Sequence, residues 1–246
     1  MNFSPCIIVP FYNHGQFAER LLSGLLPYGL PIVIVDDGSD ATHKQALQTA
    51  VAGHDGVILL NLEHNGGKGK ACVTGLQHAA QAGFSHAIQI DADCQHDFSA
   101  VPDFVRCAQK HPEALICGRP VFDKTVPKVR LYSRYLTHYL VWVETLSLAI
   151  RDSMCGFRCY PLAATVAMLE TSWVGQHMDF DTDIAVRLYW YGLTVENLPV
   201  RVVYHHDASS HFRMVVDNGY MIRAHVLLLC GMIWRMPRLI RRWKAS

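Results

Sequence analysis

Short apolar runs alternate with amphipathic stretches along the first half of this chain. Runs at 6–10 (Cys-Ile-Ile-Val-Pro), 31–35 (Pro-Ile-Val-Ile-Val), 57–61 (Val-Ile-Leu-Leu-Asn), 86–90 (His-Ala-Ile-Gln-Ile) and 114–117 (Ala-Leu-Ile-Cys) are brief and rich in β-branched residues. That is how strands buried on both faces read. Helical periodicity fills the gaps at about 16–26, 41–52, 68–82 and 99–110. The alternation predicts an α/β fold, a mostly parallel central sheet built from right-handed βαβ units and flanked by helices. Ligands of such sheets bind beyond the carboxyl ends of the strands.

Polar residues and glycines gather at those ends. The first run leads into Phe11-Tyr12-Asn13-His14-Gly15, the second into Asp36-Asp37-Gly38-Ser39 and the third into Asn65-Gly66-Gly67-Lys68-Gly69-Lys70. The fourth leads into Asp91-Ala92-Asp93 and the fifth into Gly118-Arg119-Pro120. Two carboxylates one residue apart raise each other's pKa unless a positive charge lies between them. A hard divalent cation with oxygen ligands supplies that charge and commonly also holds a phosphorylated substrate. An Asp-x-Asp alone also fits an acidic turn before a helix; its setting at one sheet edge with four other polar loops favours the metal. The glycines of 65–69 and Lys68 suit contact with a phosphate, although the spacing is not that of a Walker A loop.

Beyond 120 the pattern changes. Residues 129–149 predict a long, mostly apolar helix with Arg130 and Arg134 at its start, and 152–158 predicts a loop. A helix from about 181 to 191 stops at Gly192, 195–204 reads as extended with a break at Pro199, and 213–234 is helical before a basic end. Absence of a linker, repeat or charge block favours one domain, residues 1–212, followed by a C-terminal helix and tail, 213–246.

The net charge of +1 hides an asymmetry: residues 218–246 hold six Lys/Arg and no acid, which leaves −5 on the remainder. Nucleic-acid binding by the body is thereby disfavoured. The eight cysteines form no zinc spacing and read as buried reduced thiols. No signal peptide and no membrane span is predicted. The apolar run 226–234 followed by Arg235, Arg238, Arg241, Arg242, Trp243 and Lys244 suits an amphipathic helix lying on an anionic membrane.

Taken jointly, the motifs resemble the inverting family 2 glycosyltransferases of GT-A fold. The resemblance rests on Val9-Pro10-Phe11-Tyr12-Asn13, Val35-Asp36-Asp37-Gly38-Ser39, Asn65-Gly66-Gly67-Lys68-Gly69, Asp91-Ala92-Asp93-Cys94-Gln95-His96, Gly156-Phe157-Arg158, and Phe180-Asp181-Thr182-Asp183 with Arg187. The Asp-Ala-Asp-x-Gln-His and Gly-Phe-Arg segments look most like the polyprenyl-phosphate, dolichyl-phosphate mannose synthase-like branch. The resemblance implies a nucleotide-sugar donor contacted by Pro10, Tyr12, Asn13, Asp37, Gly67, Lys68 and Asp91. It implies Mg²⁺ or Mn²⁺ on Asp91 and Asp93, with Gln95 as helper and His211 as a late additional ligand. Asp93 and Asp181 are the expected catalytic residues.

Two acceptors fit this resemblance. A polyprenyl phosphate arrives ionised and needs cations, for which Arg119, Arg130 and Arg158 are the candidates; Arg134 is a further one but is expected as a solvated helix-end charge. A hydroxyl of a lipid or aryl-polyene-type acceptor needs a base, for which Asp181 stands ready. The segment 205–218 leans toward the second acceptor, and the motifs around 91–96 and 156–158 toward the first. A nucleotide-sugar-binding protein without catalysis is a further alternative, weakened by the intact acids. Asp183 and Arg187, four apart on a helix, are expected as a surface ion pair. A cytoplasmic location, peripheral on the membrane, completes the expectation.

Overall fold

The computed structural model describes residues 2–122, 128–202 and 213–245, with side chains at 122, 128–133 and 243–245 left aside. Seven strands form one sheet: β1 (Pro5–Phe11), β2 (Ile32–Asp36), β3 (Val57–Asn61), β4 (His86–Gln89), β5 (Leu115–Phe122), β6 (Arg158–Pro161) and β7 (Val195–Val202). Their order is β3-β2-β1-β4-β6-β5-β7. β6 runs antiparallel to β4 and β5, while the other neighbours pair in parallel. The helices are α1 (Ala18–Leu25), α2 (Ala41–Val51), α3 (Lys68–Gln81), α4 (Val101–Lys110), α5 (Lys128–Thr145), α6 (Leu162–Thr171), α7 (Phe180–Tyr191) and α8 (Met214–Ala245).

Strand alternation divides the core between the two faces of the sheet. Cys6 and Ile8 of β1, with Val33 and Val35 of β2, pack against α3, α6, α7 and α8. Ile7, Val9 and Phe11, with Ile32 and Ile34, pack against α1 and α4. Both faces are covered, which is why these strands read as unbroken apolar runs.

Several expectations change. The segment 152–158 was expected to be loop throughout, yet Arg158 opens β6, a four-residue strand wedged between β4 and β5. β5 extends to Phe122, so Gly118 and Arg119 lie within a strand rather than beyond its end. β7 keeps Pro199 inside it because β7 is the edge of the sheet, where a missing N–H is tolerated. α5 stops at Thr145, where Leu146 adopts φ 49°. α8 runs 32 residues straight through Pro237 to Ala245, with Leu228, Met232 and Leu239 buried along one side. Six of the eight cysteines are buried as expected, but Cys230 is exposed on α8.

Candidate active site

The loops after β1 and β2 are stitched together first. The Asn13 N–H donates to Ser39 Oγ (2.9 Å), and Asn13 Oδ1 accepts from the Asp40 N–H (3.0 Å). Asn13 holds this position at φ 52°, a conformation asparagine tolerates better than most residues. Asp36 is fully buried; one of its oxygens accepts from the Ser39 N–H and the other has no partner.

Asp37 then organises the glycine loop. Its carboxylate accepts from the Gly66 N–H (2.8 Å), the Gly67 N–H (2.8 Å) and Asn65 Nδ2 (3.0 Å). Those amides were expected to face a phosphate; two of them are instead engaged by Asp37, which is itself only 2 % exposed. Burial raises the Asp37 carboxyl above its ordinary value, with the Gly66 and Gly67 hydrogen bonds opposing that rise. The opposite side of the loop abuts residues 175–177. Gly67 sits at φ 96°, and a Cβ there would collide with the His177 ring and the Gln176 carbonyl. His177 in turn stacks on Tyr220 of α8, ring centroids 4.2 Å apart.

Lys68, the first residue of α3, lies at the centre of the site. Its Nζ stands 2.8 Å from Asp91 Oδ1 and 2.7 Å from Asp181 Oδ2. The second oxygen of Asp181 accepts from Gln89 Nε2 (2.9 Å), and Gln89 is held by the Tyr160 hydroxyl (2.8 Å). Burial pushes the Asp181 carboxyl up, but Lys68, Arg158 and the hydrogen bonds from Lys68 and Gln89 pull it below the ordinary carboxylate range. Burial disfavours the Lys68 ammonium, yet Asp181 and Asp91 together raise its pKa well above the usual lysine value.

Asp91 and Asp93 flank this pair. Asp91 Oδ1 lies off the line of a good hydrogen bond to Lys68, and Asp91 Oδ2 is 3.8 Å from His96 Nε2. Gly156 passes so close to Asp91 that a Cβ there would strike its carboxylate. Burial and then the Asp91 charge raise the Asp93 carboxyl, which among the described residues accepts from the Gln95 N–H (3.1 Å). The residues fit a divalent ion: Asp91, Asp93 and Asp181 set three carboxylates against the Lys68 ammonium and the Arg158 guanidinium, and the Asp93 carboxyl is desolvated beside Asp91. Among the described residues no group of three or more His, Cys, Asp or Glu is placed to hold an ion. His211 lies outside the described residues.

The arginines fall differently from expectation. Arg158, expected at the acceptor, is fully buried: Nε donates to the Cys155 carbonyl (2.9 Å), one terminal nitrogen to the Ser153 carbonyl (2.6 Å) and the other to the Asp181 carbonyl. It is a strut beneath the site. Arg134, expected in solvent, clamps Asp152 through two hydrogen bonds of 2.6 and 2.7 Å, while Asp152 caps the Met154 and Cys155 N–H groups. Asp183 and Arg187 do pair at 2.7 Å, but Asp183 is 1 % exposed and also accepts from the Gly175 N–H, so the pair is internal. Arg119 is exposed on β5 opposite Pro199, and the Arg130 side chain is outside the description.

Sequence reasoning passed over Gln89, Tyr160, His177 and Tyr220. Gln89, a polar side chain between Ile88 and Ile90 at the end of β4, was the one legible signal.

A family model described as Glycosyl transferase family 2 matches residues 6–170. The chain belongs to that family. It is therefore a glycosyltransferase of the group that acts on nucleotide sugars. Family relatives include a UDP-N-acetylglucosamine–dolichyl-phosphate N-acetylglucosaminyltransferase of Methanococcus voltae, 32 % identical over 67 % of this chain and 72 % of the relative. A polyprenol monophosphomannose synthase of Mycolicibacterium smegmatis is 26 % identical over 79 % of this chain and 75 % of its own length. A dolichyl-phosphate beta-glucosyltransferase of Trichomonas vaginalis is 28 % identical over 73 % of this chain, which spans 59 % of that relative. Among crystal structures, glucosyl-3-phosphoglycerate synthase of Mycobacterium tuberculosis superposes with a TM-score of 0.69 at 14 % identity, covering 94 % of this chain and 81 % of that one. This likeness establishes the GT-A fold. The same neighbour has been crystallised with Mn²⁺ and UDP-glucose.

Proposed function

We propose that this glycosyltransferase moves a sugar, with inversion, from a UDP- or GDP-linked donor to a polyprenyl phosphate at the cytoplasmic face of a membrane. One observation carries the choice of acceptor: both carboxylate oxygens of Asp181 are engaged, one by Lys68 and one by Gln89. A carboxylate so held, with its pKa below the ordinary range, is a poor general base. A phosphate monoester needs none. The names of the three relatives point to the same kind of acceptor.

In this reading the loops at 11–15, 36–39 and 65–69 form the nucleoside side of the cleft, shaped by Asn13 and Asp37. Asp91 and Asp93 would hold Mg²⁺ or Mn²⁺, which when bound offsets the negative charge growing on the departing diphosphate. Lys68 and Arg158 keep Asp91 and Asp181 in register across the cleft floor. Arg119 and Arg130 are the cations proposed to receive the acceptor phosphate, whose oxygen attacks the anomeric carbon opposite the leaving group.

Among the described residues no helix is long and apolar enough to cross a membrane. Attachment is proposed through α8, the part from 213 onward, which shows Ile222, Val226, Ile233 and Trp234 outward beside exposed Arg238 and Arg241. Arg235 and Arg242 of the expected basic tail face inward, over the Trp190 and Tyr189 rings. Arg242 also donates to the Tyr189 and Leu193 carbonyls.

Asp181→Asn tests the acceptor. Transfer to farnesyl phosphate should stay within about tenfold, any loss reflecting position rather than proton transfer. A kcat loss above about a hundredfold, with donor affinity unchanged, would replace the phosphate acceptor by a hydroxyl.

A further inference from the structure

The donor site and the metal pair account for the contact of Lys68 with Asp91 but not for its contact with Asp181. Its ammonium is wedged between Asp91, on the donor side in the proposed reading, and Asp181, on the acceptor side, at 2.8 and 2.7 Å. It has little freedom to leave. Its Cα follows Gly67, whose N–H is bound to Asp37, and the next turn is tethered by the Lys70 N–H to the Gln176 carbonyl (3.1 Å). Swinging toward a ligand would break two short ion pairs at once and leave the buried Asp181 with one oxygen unpaired, which is costly. The other Asp181 oxygen is fixed independently through Gln89 and Tyr160.

We propose that Lys68 is an acceptor-selectivity residue: by holding Asp181 Oδ2 it denies that oxygen to the proton of a hydroxyl. The inference rests on the lipid-phosphate reading above and names the group that enforces it. The chemistry differs between the acceptors. When a hydroxyl or water attacks, the new C–O bond forms at the anomeric carbon and the bond to the nucleoside diphosphate breaks with its electron pair. The oxygen must also lose a proton to a base. When an ionised phosphate attacks, the same bonds form and break and no proton moves. A site whose acceptor-side carboxylate is tied to an ammonium therefore passes phosphates and refuses alcohols and water. Water is the competitor present in every assay, so the device also protects the donor from hydrolysis.

The experiment uses the full chain with Mn²⁺, farnesyl phosphate, farnesol, and whichever of UDP-glucose, UDP-N-acetylglucosamine or GDP-mannose the unaltered chain turns over. The readout is the ratio of donor hydrolysis to transfer onto farnesyl phosphate. Lys68→Met should raise that ratio at least about tenfold, given that a positioned base is worth about 10²–10⁴-fold. Lys68→Arg should keep the parental ratio, and adding Asp181→Asn to Lys68→Met should abolish the gain. Lys68→Leu, which likewise has no donor to offer Asp181, is read in the same way where the Met variant does not fold. An unchanged ratio in a folded Met or Leu variant overturns the proposal. So does a gain that persists without Asp181, because that gain is mere leakage of water. Failure of the unaltered chain to use farnesyl phosphate, with farnesol accepted instead, refutes the lipid-phosphate reading itself and is seen before any Lys68 variant is made.

Discussion

Replacing Arg158 by Met separates a strut from an acceptor contact. The guanidinium is 0 % exposed and donates only to main-chain carbonyls, those of Ser153, Cys155 and Asp181. The Ser153 carbonyl would retain the Thr182 hydroxyl as a donor (3.2 Å). The Asp181 carbonyl lies in the first turn of α7 and keeps its place in the helix ladder, leaving Cys155 as the orphan. Hydrogen bonds from a charged donor contribute roughly 1.5–3 kcal/mol each, and an orphaned buried carbonyl costs about 1–3 kcal/mol. Removing the buried ion itself recovers part of that, so a net loss of about 3–5 kcal/mol is expected. For a chain of this size that is a fall in Tm of roughly 6–20 °C. Thermal unfolding followed by circular dichroism measures it, beside KM for farnesyl phosphate. Arg158→Lys, with one nitrogen for three carbonyls, should fall between. A variant with unchanged Tm and a selectively raised acceptor KM would show the strut to be wrong and restore Arg158 to the acceptor.

Four further outcomes are expected. Gly67→Ala should lose at least ten-fold in donor affinity by calorimetry, because φ 96° and the His177 ring leave no room for a Cβ and the loop must shift; unchanged affinity would separate the loop from the donor. Asp93→Ala should abolish metal-dependent donor binding while leaving the fold intact, and retained transfer would sink the metal assignment. Arg238→Gln with Arg241→Gln should weaken binding to anionic vesicles roughly thirty-fold, at about 1 kcal/mol per charge, whereas equal binding would move the membrane contact elsewhere. In pH-dependent unfolding, the depressed Asp181 carboxyl contributes stability that is present above the ordinary aspartate pKa and lost as pH falls through its lower folded value. Asp181→Asn should therefore flatten the acid limb, and an identical limb would refute the ion pair with Lys68.

The sheet was legible because β1, β2 and β4 are buried on both faces and cannot hide their apolar runs, and because the half-buried edge strand β3 keeps an apolar run of its own. β6 was not, since four residues, Arg-Cys-Tyr-Pro, carry too little pattern to announce a strand. Its antiparallel insertion depends on pairing with β4 and β5 across long stretches of sequence. Residue types at the site were legible from motif spacing, but their partners were not. Arg134 and Asp183 looked like surface charges in a one-dimensional pattern, and Arg158 like an acceptor contact. Each is instead an internal tie, to Asp152, Gly175 and Ser153 respectively. Asp37 shows the same limit: its type marked a ligand-facing turn, while its three donors come from a loop 28–30 residues away.

The charges of the site form one connected argument. Asp91, Asp93 and Asp181 converge near the Lys68 ammonium, with the Arg158 guanidinium beneath Asp181, so the acids still outnumber the bases. That surplus would repel both a sugar diphosphate and a lipid phosphate. In the proposed reading a divalent cation at Asp91 and Asp93 would remove the repulsion at the donor end, while Lys68 and Arg158 offset Asp181. That reading predicts metal with donor binding first and the ionised acceptor second. Without the metal, the second phosphate would meet an uncompensated carboxylate pair, and the interaction of unit charges at 4 Å is about 4 kcal/mol at an effective dielectric constant of 20. In the reading proposed above, Lys68 would let one cleft accept two phosphorylated ligands while keeping a carboxylate between them.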